Sequence, residues 1–366
     1  MINVFFRKFY KNFRMKRYME NESELSSEKN LLEKILEHKA ILFIIFGVII
    51  RIGILLYYYY THKIDPGRSW GDLGSYFDDN LTSTPLAVFF LEVFRFFSFG
   101  SIGIFAFWGF FCDLLTVLMF YFVLKNFKVK NINYALGLFA VNPFFFLNNA
   151  FSLENCGYHI TDAFFFFFFF LALIYYPKEE GYAKYLFYIF LGLSMCTKYY
   201  TLPAVGFLFL KYLIERNWKE MKVFVISIAP SLIILLIIPL FITDWFLDSL
   251  TDWSTFGSDV PLFIRIIPAC ILALLFIIFR LKDADQFEIS VFSTITTASF
   301  MVFSFIYARW FQAILFYGIL KEREFFSFKL NLGFIKREIK VDNHVLTFYL
   351  SFIAVFIAYL FIIFLY

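Results

Sequence analysis

The chain is poor in charge. Asp, Glu, Lys and Arg make up 17% of its 366 residues, against roughly 25% in an average soluble domain. Hydrophobic residues supply 61%, and Phe alone accounts for 59 positions. A water-soluble fold of this length cannot enclose that much apolar surface, so a cytosolic enzyme is excluded, as is a disordered chain. Cysteine is scarce as well. Cys112, Cys156, Cys196 and Cys270 lie 40 or more residues apart, which excludes a disulfide scaffold and leaves no paired metal ligands. They read as small buried hydrophobes. The N-terminal region lacks an apolar core followed by a small-residue cleavage site, so no cleaved signal peptide is expected. A Gly-rich phosphate loop is missing, and so is any internal repeat.

Long apolar runs are what the sequence does contain. A bilayer span takes roughly 20 mainly apolar residues. Such runs occupy 40–60, 101–124, 132–149, 161–177, 223–243, 260–280, 288–308 and 345–366. Shorter runs at 184–197 and 199–215 meet at Lys198, and 311–320 follows Arg309. Segment 85–98 carries Glu92 and Arg95 and reads as a helix lying in the membrane interface. Arg7, Lys8, Lys11, Arg14, Lys16 and Arg17 place the N-terminus in the cytoplasm. Basic loops then fall near 125–131, 216–222 and 321–344, whereas 150–160 and 244–259 hold neither Lys nor Arg. The reading is an all-α polytopic protein, multi-pass in the cell membrane, with about ten to eleven transmembrane helices and an interfacial helix after the first outside loop. Residues 1–39 form a cytoplasmic basic-then-acidic segment. Residues 40–366 form one transmembrane domain with outside loops near 61–84, 150–160 and 244–259. Phe164–Phe170 reads as lipid-facing bulk.

Candidate chemistry gathers on the outside loops. His62 to Asn80 holds four carboxylates, Asp65, Asp72, Asp78 and Asp79, any of which can act as a general base on a hydroxyl or bind a divalent cation such as Mg or Mn. The bland alternative is a solvated polar loop. Glu154, His159 and Asp162 lie before and within the start of the next run; His159 and Asp162, three apart, share a helix face, although a capping Asp beside an interface His explains them equally. Asp244, Asp248 and Asp252 recur at four-residue steps among Trp245 and Trp253, a pattern that an interfacial helix also produces. Ionisable residues at membrane depth need partners. Arg51 and Asp113 each fall mid-run, and a buried structural pair between them is expected. Lys198 and Arg309 end runs on the side of the acidic loop and suggest an anion such as a phosphate.

In this order the residues resemble a known pattern. Arg51 with Leu55-Leu-Tyr-Tyr58, Gly71-Asp72 with Tyr76-Phe77, Thr84-Pro85-Leu86, Cys112-Asp113-Leu-Leu-Thr116, Asn142-Pro143, and Gly192-Leu-Ser194 followed by Lys198-Tyr199 are similar to the membrane glycosyltransferases of the C-type fold. The nearest type is the GPI mannosyltransferase I and its prokaryotic relatives. The last third matches only in hydropathy and in Tyr307-Ala-Arg309-Trp310. That family carries two acids one residue apart in the first outside loop; here the second position is Gly74.

The resemblance implies transfer of a hexose, mannose in that family, from a polyprenyl- or dolichyl-phosphate donor to a lipid-linked or protein glycan acceptor on the extracytoplasmic side. Asp72 is then the catalytic base of an inverting displacement. Lys198 and Arg309 bind the donor phosphate, and Asp78, Asp79 and His159 serve the acceptor or a metal. The bilayer is a partner, and nucleic acid is not. The competing reading is a multi-pass transporter or flippase of a lipid-linked or small polar substrate, which the absence of repeats and the gathering of polar residues on the outside face disfavour. A third is an assembly subunit whose acidic loops dock a partner.

Overall fold

The computed structural model describes residues 39–64, 77, 84–129, 132–141, 160–176, 181–238, 262–300, 318, 320–321, 324–331 and 336–342, with isolated positions at 353, 356, 357 and 360. The chain divides into Met1–Leu42, of which only the first residues of a helix are described, and Phe43–Tyr366. In order, the elements are α1 (Lys39–Ile64), α2 (Pro85–Phe96), α3 (Ile102–Asn126), α4 (Ile132–Val141), α5 (Ile160–Tyr175), α6 (Tyr182–Thr197), a 3-10 turn (Tyr199–Thr201), α7 (Leu202–Ile214), α8 (Trp218–Leu236), α9 (Leu262–Phe279) and α10 (Gln286–Phe300). A hairpin of β1 (Glu324–Asn331) and β2 (Lys336–Asp342) follows.

Local chemistry sets the helix ends. Pro85 stands in the first turn of α2 and Pro203 in that of α7, where a missing N–H costs nothing. Asn217 caps α8, its side chain accepting the Glu220 N–H. Gly181 precedes α6 at φ +62°, a conformation that a Cβ would disfavour.

The pair α5–α6 forms the centre, with α3 and α4 on the α5 side and α8 on the α6 side; α7, α9 and α10 pack as a second group. Phenylalanines fill the first group. Phe120 of α3 lies 4.5 Å from Phe139 of α4 and 5.2 Å from Phe170 of α5, ring to ring. The Asn126 amide of α3 donates to the Leu173 carbonyl of α5 at 3.0 Å. In the second group Phe276 of α9 stacks on Phe292 of α10 at 4.0 Å. Close approach of α6 to α8 depends on Gly192, where an added Cβ would come within 2.8 Å of the Ser231 Cβ.

Several sequence-based expectations are corrected here. Among the described residues one helix, α3, is long and apolar enough to cross a membrane, not ten or eleven. Several of the other described helices are too short or too polar. α5 and α6 have 16 residues each, about 24 Å of helix against a hydrocarbon core of about 30 Å. Runs 184–197 and 199–215 are separated by extended Lys198. The first turn of α8 carries Lys219 and Glu220, with Lys222 one turn in, and the 15 residues of α10 include six Ser or Thr. The polytopic fold, the multi-pass cell-membrane location, and the bilayer, lipid-linked donor and glycan acceptor as partners all depended on that layout and are corrected with it. The transporter reading falls for the same reason. Segment 85–98 does form a helix, but Ala87 and Leu91 are buried in the protein. Phe164, Phe165, Phe166, Phe169 and Phe170 are likewise buried, core residues between α3 and α6 and not lipid-facing bulk. Cys270 is exposed. Glu324–Asn331 and Lys336–Asp342, read as part of a basic loop, pair as antiparallel strands with Phe328 opposite Ile339 and Phe326 opposite Val341.

Candidate functional site

The break between α6 and α7 builds the most distinctive polar cluster. Lys198 is extended (φ −158°, ψ 141°), and the chain resumes through the 3-10 turn. Such a break frees backbone groups that must find partners. Hydroxyls of α10 supply them: Ser293 and Thr297 donate to the Tyr200 carbonyl at 2.9 and 3.1 Å, and Ser293 Oγ accepts from the Ala204 N–H at 2.9 Å. Ser194 and Thr201 hydroxyls bond across the turn at 2.9 Å.

The consequence is a buried ion pair. Lys198 Nζ donates to Asp162 Oδ1, on the first turn of α5, and the Tyr200 hydroxyl donates to the same oxygen at 3.1 Å. The ammonium also lies 5.4 Å from the Tyr200 ring centroid. The Asp162 side chain is 1% exposed and that of Lys198 16%, so the carboxylate depends on these partners while the ammonium keeps an edge toward solvent.

Two buried threonines stand at helix starts, Thr161 beside Asp162 in α5 and Thr84 just before α2. Thr161 and Thr84 are 0% and 2% exposed, and neither Oγ1 has a hydrogen-bond partner. Each such group costs about 1–3 kcal/mol, and native proteins leave few of them. Ala87 and Ile160, close in sequence to Thr84 and Thr161, share an apolar cluster with Leu91, Phe105, Ala106 and Phe164. Phe77 packs onto that cluster, its ring 5.8 Å from that of Phe105. Leu86 reaches across to Met195, Cys196 and Leu235. Burial pushes the Cys196 thiol up to about 12, so it is an inert packing group bonded to the Ser231 carbonyl.

The opposite end of α6 contrasts with this. Tyr188 donates to Glu220 Oε1 at 2.6 Å, lies 2.6 Å from the Tyr212 hydroxyl, and accepts from Gln286 Nε2 at 2.7 Å. Gln286 also donates to Tyr212 at 3.0 Å, and Lys184 pairs with Glu220. Four helices, α6, α7, α8 and α10, meet there. Burial, then the neighbouring Tyr212 and Glu220, raises the Tyr188 hydroxyl far above its ordinary range, and burial raises Tyr212 in the same direction.

Arg51 and Asp113 form a third cluster, fully inside. Arg51 Nε donates to Asp113 Oδ2 and Nη1 to the carbonyls of Gly47 (3.0 Å) and Ala140. α1 approaches α4 closely because position 47 is Gly; a Cβ would lie 2.9 Å from the Ala140 oxygen.

Of the residues singled out from the sequence, Arg51 and Asp113 are thus found together, and Lys198 is found on Asp162. Asp72, Asp78, Asp79, His159 and Arg309 lie outside the described residues, as do Asp65, Glu154, Asp244, Trp245, Asp248, Asp252 and Trp253. Among the described residues no group of three or more His, Cys, Asp or Glu is arranged to hold a metal ion; the carboxylates considered for Mg or Mn are outside that set. Sequence reasoning missed the Asp162–Lys198 partnership, the orphaned Thr84 and Thr161 hydroxyls and the Tyr188–Glu220 cluster. No family model, no curated protein and no solved structure matches the chain, so the resemblance to C-type glycosyltransferases stands on its motifs alone, beside a largely α-helical body in which, among the described residues, one helix is long and apolar enough to cross a membrane.

Proposed function

We propose that the chain is a glycosyltransferase that moves a sugar from a phosphate-linked donor to an acceptor hydroxyl. The observation that supports it is the end of the bundle where Lys198 and Tyr200 meet on Asp162 in the first turn of α5, a turn whose Ile160 belongs to the apolar cluster that receives Phe77. Phe77 belongs to the acidic loop: Asp78 and Asp79 follow it directly, and Asp72 precedes it by five residues.

In this reading the acceptor oxygen attacks the anomeric carbon as Asp72 takes its proton. The bond from that carbon to the phosphate oxygen breaks, and the phosphate leaves with the electron pair. Lys198, oriented by Asp162, and Arg309 neutralise the charge that grows on the leaving group, the kind of preorganised stabilisation that contributes most to such reactions. Asp78, Asp79 and His159 are positioned by sequence to serve the acceptor or a cation. Alignment of the two reactants supplies several kcal/mol more, on the order of 7–11 at best.

The test is transfer by the purified protein from radiolabelled glycosyl phosphodiester donors, with Asp72→Asn alongside. Label should reach a new product with the wild type and fall at least a hundredfold in the variant, with the fold intact. Turnover by Asp72→Asn at the wild-type rate would remove Asp72 as the base, and no consumption of any donor by folded wild type would remove the enzyme reading.

A further inference from the structure

We propose that Ser293 is a positioning residue for Lys198: its hydroxyl stands in the backbone ladder at the start of α7 and holds the chain open there, so that the Lys198 ammonium meets Asp162. The use of Lys198 toward a phosphate rests on the glycosyltransferase reading; the placement of Lys198 does not. In an unbroken helix the N–H of residue 204 would donate to the carbonyl of residue 200, four positions back. Here Ser293 Oγ, from α10, lies between the two. It accepts from the Ala204 N–H and donates to the Tyr200 carbonyl, each at 2.9 Å. Thr297, one turn on in α10, donates to the same carbonyl at 3.1 Å but shares its proton with the Ser293 carbonyl of its own helix. Beside the insertion, Pro203 has no N–H to give the Tyr199 carbonyl, which takes the Leu202 N–H instead. A side chain inserted into the i→i−4 ladder is one of the few causes of a sharp helix break, and Ser293 is fully buried.

What the inserted hydroxyl fixes is Tyr200. That residue is tied at its carbonyl to α10 and at its hydroxyl to Asp162 Oδ1, 3.1 Å away, and its ring lies 5.4 Å from the Lys198 ammonium. Lys198, two residues earlier and extended, donates to the same Asp162 oxygen. Without the Ser293 hydroxyl, the Tyr200 carbonyl and the Ala204 N–H, both in buried residues, would be left to bond each other by closing a further helical turn. That closure turns the Tyr200 side chain and draws Lys198 off Asp162. Other hydroxyls of α10 have no such reach. Ser290, Thr296 and Ser299 give theirs to carbonyls four residues back, at 2.7, 3.0 and 2.7 Å, local bonds that tie no second element.

The experiment treats the full-length protein with a trace of acetic anhydride and reads, by peptide mass spectrometry, acetylation of Lys198 relative to exposed Lys219 in the same sample. The ammonium must leave Asp162 before its amine can react, so wild-type Lys198 should acetylate about tenfold more slowly than Lys219, the worth of one hydrogen bond between charged groups. Ser293→Ala should remove most of that protection and Thr297→Val part of it, whereas Ser293→Thr, which keeps the hydroxyl, should retain it. Two controls should keep the wild-type ratio: Ser290→Ala, which loses a hydroxyl bonded within α10, and Tyr188→Phe, which loosens the far end of α6. Absence of protection in wild type overturns the proposal, as does full protection in both Ser293→Ala and Thr297→Val. So does equal loss in Ser293→Ala and Ser293→Thr, or in Ser293→Ala and Tyr188→Phe, since general loosening would then explain it. If Ser293→Ala fails to fold, Thr297→Val decides on the same terms. Transfer is scored apart: protection that depends on Ser293 without turnover of any donor removes the enzyme and keeps the positioning role, whereas turnover by wild type with Lys198 still protected in Ser293→Ala does the reverse.

Discussion

Helix α6 carries a polar cluster at each end, and the two are built on opposite rules. At the Tyr188 end the main polar groups are bonded to one another across four helices. At the Lys198 end an ion pair reaches the solvent, and the buried hydroxyl of Thr161, next to Asp162 in the chain, is left unbonded. A satisfied network fastens helices together; it offers a ligand nothing that it does not already have. An unsatisfied one is retained at a cost in stability, and such costs concentrate where function needs them. The comparison sets a fully bonded network at one end of α6 against an incompletely bonded one at the other, and substitutions along α6 can break it.

The largest loss of stability is expected where satisfaction is most complete and burial deepest. Asp113→Ala leaves Arg51, 0% exposed, without its counter-charge and should cost about 3–5 kcal/mol in denaturant unfolding. Tyr188→Phe removes one hydroxyl from three partners and should cost about 1–3 kcal/mol. The same residue gives a pH signature. Its hydroxyl titrates higher in the folded chain than in the unfolded one, where it ionises near about 10. Above that pH the unfolded state binds fewer protons than the folded state, so this contribution is full below about 10 and declines as pH rises further. Unfolding of wild type should therefore steepen with pH in alkali, and Tyr188→Phe should flatten part of that slope. Asp162→Asn should be milder than Asp113→Ala, because Lys198 can turn its ammonium to water. The smallest effect belongs to Thr161→Val, within about 0.5 kcal/mol of wild type or slightly above it.

Part of this was open to reading in the sequence. Arg51 and Asp113 each interrupt an apolar run, and a charge in that setting needs an opposite one. Lys198 stood out for the same reason, yet its partner did not: Asp162 was grouped with His159 by their three-residue spacing, whereas the real bond joins residues 36 apart. Glu220 was not singled out at all, and only packing shows that it joins Tyr188, Tyr212 and Gln286 in one cluster. Phe164–Phe170 could not be sorted into core or lipid-facing by composition, because both environments favour Phe. Hydropathy marked the break at Lys198, where two shorter runs meet, but carried no information on what the freed turn bonds to. The hairpin did leave a signal, the period-two Phe326-x-Phe328-x-Leu330 and Ile339-x-Val341 around Asn331-Leu-Gly333, which the six Lys and Arg of that region masked.

The division of α6 is tested most directly by measuring sugar transfer and melting temperature together in Asp162→Asn and Tyr188→Phe. The expected result is a crossing: Asp162→Asn loses at least a hundredfold in transfer with a melting temperature near that of wild type, and Tyr188→Phe melts several degrees lower with transfer nearly intact at low temperature. Parallel loss of both properties in both variants would contradict it, since the two ends of the helix would then be doing the same job.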